Sequence, residues 1–149
     1  MKLYRITKEK YAADLRGMGG LYEAGRWHRE GIQLVYTSEV VSLAMLEVLG
    51  HWRKTPTGLS LATIDVPDEA SMLFVAAGEL PANWRVLPYL PALADLTDRW
   101  IGTEEHWIMR VPSIHSPTEF NYLLNPLHPE HATLKLISIE PHPFDPRLK

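Results

Sequence analysis

The sequence predicts an α+β fold, a compact single domain over residues 1–149 with mixed or antiparallel sheets and one buried helix. A length of 149 residues is usual for one domain. Strand-like and helix-like segments follow one another without the regular βα alternation of a doubly wound sheet. One helical segment is apolar on nearly every side, which is typical of a helix inside a core.

The first elements are two strands and that helix. Residues 2–7 and 34–37 are rich in β-favouring and apolar side chains, which predicts strands. Residues 38–52 follow as a helix, with Ser38 as its N-cap and Glu39 in the first turn, where a negative charge suits the helix dipole. Eight of the ten residues from 40 to 49 are apolar, so the helix is predicted to be buried.

The later elements follow from alternation and from proline positions. Residues 59–66 alternate as a strand does and stop before Pro67. Residues 91–103 predict a helix with Pro91 in its first turn. Further strands are predicted at residues 72–76, 107–111 and 133–140, and a helical turn at residues 119–124.

The composition excludes several classes of protein. Hydrophobic residues make up 46% and charged residues 22% of the chain, unlike disordered or coiled-coil sequences. The absence of cysteine excludes disulfides, a thiol nucleophile and cysteine-based zinc sites. A net charge of −3 argues against non-specific nucleic-acid binding. No segment approaches the roughly 18 apolar residues of a membrane helix, and no secretory signal is evident, so we expect a cytoplasmic protein.

Glu47 is the most unusual residue, because it lies in the middle of the apolar helix. A buried, unpaired carboxylate costs several kcal/mol, so it needs a partner, a raised pKa or a cavity. The alternative is a helix with one solvated stripe that carries Glu47 beside Ser42. Residues four apart share a helix face, so Leu43, Glu47 and His51 form a mixed face that suits a cleft.

Other motifs are weaker when taken singly. Arg26 stands between Gly25 and Trp27 and could present its guanidinium to a phosphate, although a surface arginine is the commoner case. Tyr36 could stack on a flat ring or offer its hydroxyl, although a half-buried core tyrosine is commoner. Ser113 follows a proline-terminated strand and could bind a ligand, but it lacks the Gly-x-Ser-x-Gly elbow of a hydrolase.

Taken in order, these motifs resemble the RES domain, the toxin half of RES–Xre toxin–antitoxin systems. The arginine stands ten residues before the tyrosine, and the glutamate eleven residues after it. The family usually has asparagine where His28 stands. The matching residues run through most of the chain: Tyr4-Arg5, Gly25-Arg26-Trp27-His28, Gly31, Val35-Tyr36-Thr37-Ser38, Ser42-Leu43-Ala44, Leu46-Glu47, His51, Val111-Pro112-Ser113, Asn121-Tyr122, Asn125-Pro126 and His128.

The resemblance implies a fold similar to that of the ADP-ribosyltransferases, with a cleft that binds NAD⁺ as substrate and needs no cofactor. No His-Glu-x-x-His motif occurs among the seven histidines, so the sequence predicts no metal site. It implies depletion of NAD⁺ by hydrolysis or phosphorolysis, or ADP-ribosyl transfer to a protein. The catalytic residues would be Arg26, Tyr36 and Glu47. The substrate-binding residues would be Arg5, Trp27, His28, Ser38 and Ser113.

On this basis we expect Arg26, helped by Arg5, to hold the pyrophosphate and Tyr36 to stack on or orient the nicotinamide ring. Glu47 would stabilise an oxocarbenium-like transition state. The resemblance also implies a cognate Xre-family antitoxin that blocks the cleft, DNA contact only through that antitoxin, no membrane partner, and a homodimer within the complex. A non-catalytic interaction protein, binding a partner in the same cleft, is the remaining alternative.

Overall fold

The computed structural model describes residues 1–149, and seven strands form a single sheet in it. The strands are β1 (Lys2–Lys8), β2 (Val35–Ser38), β3 (Leu59–Asp65), β4 (Met72–Phe74), β5 (Ile108–Pro112), β6 (Phe120–Leu124) and β7 (Lys135–Pro141). Their order across the sheet is β4-β5-β6-β2-β1-β3-β7. Neighbouring strands are antiparallel except β4 and β5, which are parallel. The prediction of an α+β fold is confirmed.

Three α-helices accompany the sheet: α1 (Glu9–Ala12), α2 (Val41–Leu49) and α3 (Pro91–Thr103). Helix α3 has the predicted bounds, because Pro91 suits a first turn and Glu104 ends the helix in a left-handed conformation, with φ of 58°. Short 3₁₀ helices lie at Met18–Leu21, Ala77–Glu79, Pro129–Thr133 and Pro146–Leu148. No helix has the length and apolar character needed to cross a membrane.

Two apolar clusters cover opposite faces of the sheet, since successive side chains of a strand point to opposite sides. Helix α3 contributes to the first cluster, whose buried members are Trp27, Leu34, Val75, Trp84, Leu93, Trp100, Met109, Val111 and Leu123. The second cluster contains Leu3, Val35, Ile64, Val66, Trp107, Ile108, Tyr122 and Leu124. Strand β6 supplies residues to both clusters and is therefore buried on both faces.

Helix α2 is buried along one side only. Leu43, Ala44 and Leu49 are buried, and the last two pack against Ile6 of β1. Leu46 remains 40% exposed, so the prediction of a helix buried on all sides is wrong. The helix also ends at Leu49, three residues earlier than predicted.

Two further predictions are wrong. Residues 119–124 do not form a helical turn, because Phe120–Leu124 is β6. Ser38 is not a helix cap: it is the last residue of β2, and its hydroxyl bonds to Asn121 in the adjacent strand. The N-cap position of α2 is Val40, without a side-chain cap.

Strands β1 and β2 are paired at one position only, Tyr4 with Ser38. Strand β1 pairs along its whole length with β3, and β2 pairs along its whole length with β6. The two strands therefore diverge beyond the single pair. A cavity of about 710 Å³ lies here and is lined by residues of both strands and of α2.

Candidate active site

The cavity brings together residues that are far apart in the sequence. Its size is that of an ordinary small-molecule site. Of the predicted site residues, all but Ser113 line the cavity: Arg5, Arg26, Trp27, His28, Tyr36, Ser38 and Glu47. The three predicted catalytic residues thus share one cavity.

Glu47 is held in the cavity wall by one of its two carboxylate oxygens. Oε1 accepts hydrogen bonds from Ser113 Oγ at 2.8 Å and from Asn121 Nδ2 at 2.6 Å. Oε2 lies 3.6 Å from Nε2 of His115, which also lines the cavity, and the Glu47 side chain is 29% exposed. Ser42, by contrast, is exposed at the protein surface. Glu47 is therefore a fixed carboxylate beside a cavity rather than part of a solvated stripe.

The two serines predicted to bind substrate support this carboxylate, one directly and one through Asn121. Ser38 is 4% exposed and donates to Oδ1 of Asn121 at 2.7 Å, so the amide of Asn121 can turn its Nδ2 to Glu47. Ser113 is 1% exposed, donates to Glu47, and accepts from the backbone N–H of His115 at 3.0 Å. Each serine thus donates its hydroxyl hydrogen inside the protein, and direct contact with substrate stays a prediction for both residues.

Arg26 is anchored at one end of its guanidinium. Nη1 donates to the carbonyl oxygens of Trp84 at 3.0 Å and Val86 at 3.1 Å, and the group lies 4.8 Å from the ring centroid of Tyr89. Nε and Nη2 have no acceptor in the protein. Burial lowers the pKa of Arg26, yet an arginine stays cationic at neutral pH. The edge of the guanidinium formed by Nε and Nη2 is thus available for a bidentate contact with a phosphate.

Arg5 supplies a second positive charge to the cavity. Its Nη1 donates to the carbonyl oxygens of Tyr11 at 3.2 Å and Asp14 at 3.0 Å, which ties α1 and the segment after it to β1. Burial lowers the pKa of Arg5, and the charge of Asp14 opposes that shift. The side chain has the same design as Arg26, with one nitrogen used by the backbone and the others without a protein acceptor.

Tyr36 and His28 form a buried pair in the cavity wall. The Tyr36 hydroxyl lies 2.6 Å from Nδ1 of His28, and Nε2 of His28 lies 2.9 Å from the carbonyl oxygen of Glu23. Burial lowers the pKa of His28 and raises that of Tyr36, so both are neutral at pH 7. Both ring nitrogens of His28 are bonded within the protein, and the prediction that His28 contacts substrate stays a prediction.

Trp27 is also a structural residue. It is 4% exposed and packs against Trp84, with ring centroids 5.8 Å apart. Since Trp84 supplies one of the carbonyls that hold Arg26, the tryptophan pair steadies that arginine. Trp27 also lines the cavity, so its contact with substrate stays a prediction.

Sequence reasoning assigned no role to His115, Asn121 or Tyr89. His115 fits against the end of α2 because Gly50 has no side chain: a Cβ there would lie 2.7 Å from Cε1 of His115. No local pattern signals this contact. Asn121 was recognised as part of a motif, and its bond to Glu47 appears only when β6 lies beside β2.

The chain is similar to known proteins over most of its length. The RES domain family model matches residues 2–145. A Toxin Res of Yersinia enterocolitica is 38% identical over 100% of both chains, and a Toxin Res of Pseudomonas putida is 37% identical over 99% of both. A Prs ADP-ribosylating toxin of Sphingobium sp. is 33% identical over 92% of this chain and 88% of its own length.

A solved structure shares the fold. One chain of the M. tuberculosis MbcT–MbcA toxin–antitoxin complex superimposes with a TM-score of 0.71, covering 99% of this chain and 85% of its own, at 15% identity. The shared fold thus defines the class of architecture, an α+β domain built on one mixed sheet. The chain belongs to the RES-domain family, as its sequence predicts.

Proposed function

We propose that this protein is a toxin that depletes NAD⁺ by breaking the bond between nicotinamide and ribose. The observation that best supports the proposal is the convergence of three groups on one cavity: the available guanidinium edge of Arg26, the Tyr36 hydroxyl, and the Glu47 carboxylate held by two hydrogen bonds. An anchored cation suits the pyrophosphate of a dinucleotide, and a fixed anion suits a developing sugar cation.

The bond that breaks joins C1′ of the ribose to the ring nitrogen of nicotinamide. Its electron pair moves to that nitrogen and neutralises the ring charge, which makes nicotinamide a good leaving group. An oxygen of water or phosphate bonds to C1′ and, where it is water, releases a proton. The transition state is oxocarbenium-like, so Glu47 stabilises it by proximity of charge and by accepting from a ribose hydroxyl.

A second candidate is ADP-ribosyl transfer, in which a protein side chain takes the place of water. The observation that favours it is the relative named Prs ADP-ribosylating toxin, at 33% identity. The same three groups serve this reaction, because the leaving group and the transition state are unchanged and only the acceptor differs.

We further propose that a cognate Xre-family antitoxin covers the mouth of the cavity. In this proposal the protein contacts DNA only through that antitoxin, the complex contains two copies of the toxin, and it forms in the cytoplasm. The structural neighbour comes from a toxin–antitoxin complex. At the mouth, Leu87 is 74% exposed and Trp52 is 37% exposed, and both line the cavity. Exposed apolar side chains around a cleft are typical of a surface that another protein covers.

The test is to incubate the purified protein with NAD⁺ in water, in phosphate and with cell extract, and to measure free nicotinamide. Glu47→Ala and Arg26→Ala should each lower turnover by about tenfold or more, whereas Glu79→Ala, at an exposed position, should not. NAD⁺ labelled in its adenine half separates the two candidates, because transfer leaves the label on protein. A wild-type protein that releases no nicotinamide in any condition would favour the non-catalytic interaction protein.

A further inference from the structure

The His28–Tyr36 pair has a defined direction of hydrogen bonding. The carbonyl oxygen of Glu23 can only accept, so the Nε2 atom of His28, 2.9 Å away, must carry a hydrogen. A neutral imidazole has one N–H, which leaves Nδ1 as an acceptor. The Tyr36 hydroxyl, 2.6 Å from Nδ1, must therefore donate its only hydrogen to His28.

We propose that His28 is a positioning residue that fixes the Tyr36 hydroxyl so that only its lone pairs are available to a ligand in the cavity. The consequence for recognition is specific. The ligand group that contacts the Tyr36 oxygen is a donor, such as a ribose hydroxyl or an amide N–H, whereas a phosphate is repelled there and goes to Arg26. The identity of that ligand as NAD⁺ rests on the proposed function.

The surroundings of the pair are built for this arrangement. His28 is 5% exposed, so water does not compete for its ring nitrogens. Gly25 leaves the space the pair occupies, since a Cβ there would lie 2.8 Å from the Tyr36 oxygen and 2.9 Å from Cε1 of His28. The titratable groups that face the imidazole are Tyr36 from β2 and Glu23 from the preceding loop. Burial keeps the imidazole neutral despite the charge of Glu23.

The first test measures the tautomer directly and does not depend on any enzymatic activity. Nitrogen-15 NMR of the histidine-labelled full-length protein at pH 7 reports which ring nitrogen carries the proton. Comparison with His28→Asn identifies the His28 signals among the seven histidines. We expect a protonated Nε2 and an unprotonated Nδ1. The opposite tautomer, or a doubly protonated ring, would overturn the proposal.

The second test uses a conservative and a non-conservative variant. His28→Asn keeps an acceptor where Nδ1 stood and should retain kcat to within about threefold, whereas His28→Leu removes the acceptor and should lower kcat by about tenfold or more with a smaller change in KM. Equal losses in the two variants would overturn the proposal. If His28→Leu does not fold, the proposal is still tested by the NMR measurement of the tautomer and by the kcat of His28→Asn.

A matched control separates positioning from mere structure. His131 is partly buried and likewise has both ring nitrogens bonded: Nδ1 accepts from Trp107 Nε1 at 3.0 Å, and Nε2 lies 2.8 Å from the carbonyl oxygen of Leu15. It does not line the cavity. His131→Leu should therefore lower stability but leave turnover per folded molecule unchanged, and an equal loss of turnover would contradict a special role of His28. A wild-type protein without turnover defeats the proposed function alone, since the tautomer is measured independently.

Discussion

Replacing Gly25 with alanine tests whether the Tyr36–His28 pair must keep its present position. The added Cβ would lie 2.8 Å from the Tyr36 oxygen, about 0.6 Å short of the 3.4 Å at which ordinary contact begins. It would also lie 2.9 Å from Cε1 of His28. Both neighbours are rings held in the wall of the cavity, so neither can move away as the end of a flexible side chain would.

The expected magnitude has two parts. Overpacking of this kind costs about 1–3 kcal/mol of unfolding free energy, which lowers Tm by roughly 2–12 °C for a chain of this length. A misplacement approaching 1 Å at a catalytic site costs up to about 100-fold in rate. Because the pair must shift by several tenths of an ångström, Gly25→Ala should lose about 10- to 100-fold in turnover of NAD⁺.

The assay is nicotinamide release by folded protein, with the folded fraction taken from a thermal melt. Gly78→Ala is the control, because no atom lies within 4 Å of a Cβ built at Gly78 and the residue is outside the cavity. Turnover of Gly25→Ala equal to that of the control, at any Tm, would refute the reasoning that the pair needs this space.

Three other predictions follow from the site. Desolvation lowers the pKa values of the buried His28 and the partly buried His131 below the usual 6.5, so the unfolded chain takes up these protons first as the pH falls. The free energy of unfolding, measured in denaturant titrations, should be at its full value above pH 6.5 and should fall below it by at most about 1.4 kcal/mol per pH unit for each group. Asn121→Ala removes the hydrogen bond to Glu47 and should lower turnover by about tenfold in a kinetic assay. It also leaves the buried hydroxyl of Ser38 without its partner, so the free energy of unfolding should fall by about 1–3 kcal/mol in thermal melts. Arg26→Lys should raise the KM for NAD⁺ by about tenfold or more in a steady-state assay, because a lysine cannot bind the two backbone carbonyls and a phosphate at the same time. The control Arg85→Lys lies outside the cavity and should leave KM unchanged.

Elements with local signals were predictable from the sequence. Helix α3 has its predicted bounds, because a proline start and apolar residues at helical spacing are both properties of a short segment. Strand β6 was missed because it is buried on both faces, so Phe120–Leu124 shows no alternation of apolar and polar residues. Periodicity alone does not distinguish such a segment from a helical turn.

The site residues, too, divide into those that the sequence indicated and those that only the fold brings together. The resemblance to RES domains pointed to Arg26, Tyr36 and Glu47, and these do share one cavity. It did not show that Ser38 acts through Asn121, because those residues are 83 positions apart and meet only across the β2–β6 pairing. Contacts of this kind depend on strand order, which no local pattern contains.

The single pairing between β1 and β2 has a consequence for the cohesion of the whole protein. Four strands lie on one side of that seam and three on the other, and one residue pair, Tyr4 with Ser38, joins their backbones. A ligand bound in the cavity contacts both parts of the sheet, and it adds contacts beyond the single pair, where β1 and β2 are not paired. A bound ligand therefore raises the free energy of unfolding by mass action. The ligand-free protein is digested more easily by a protease than the ligand-bound protein.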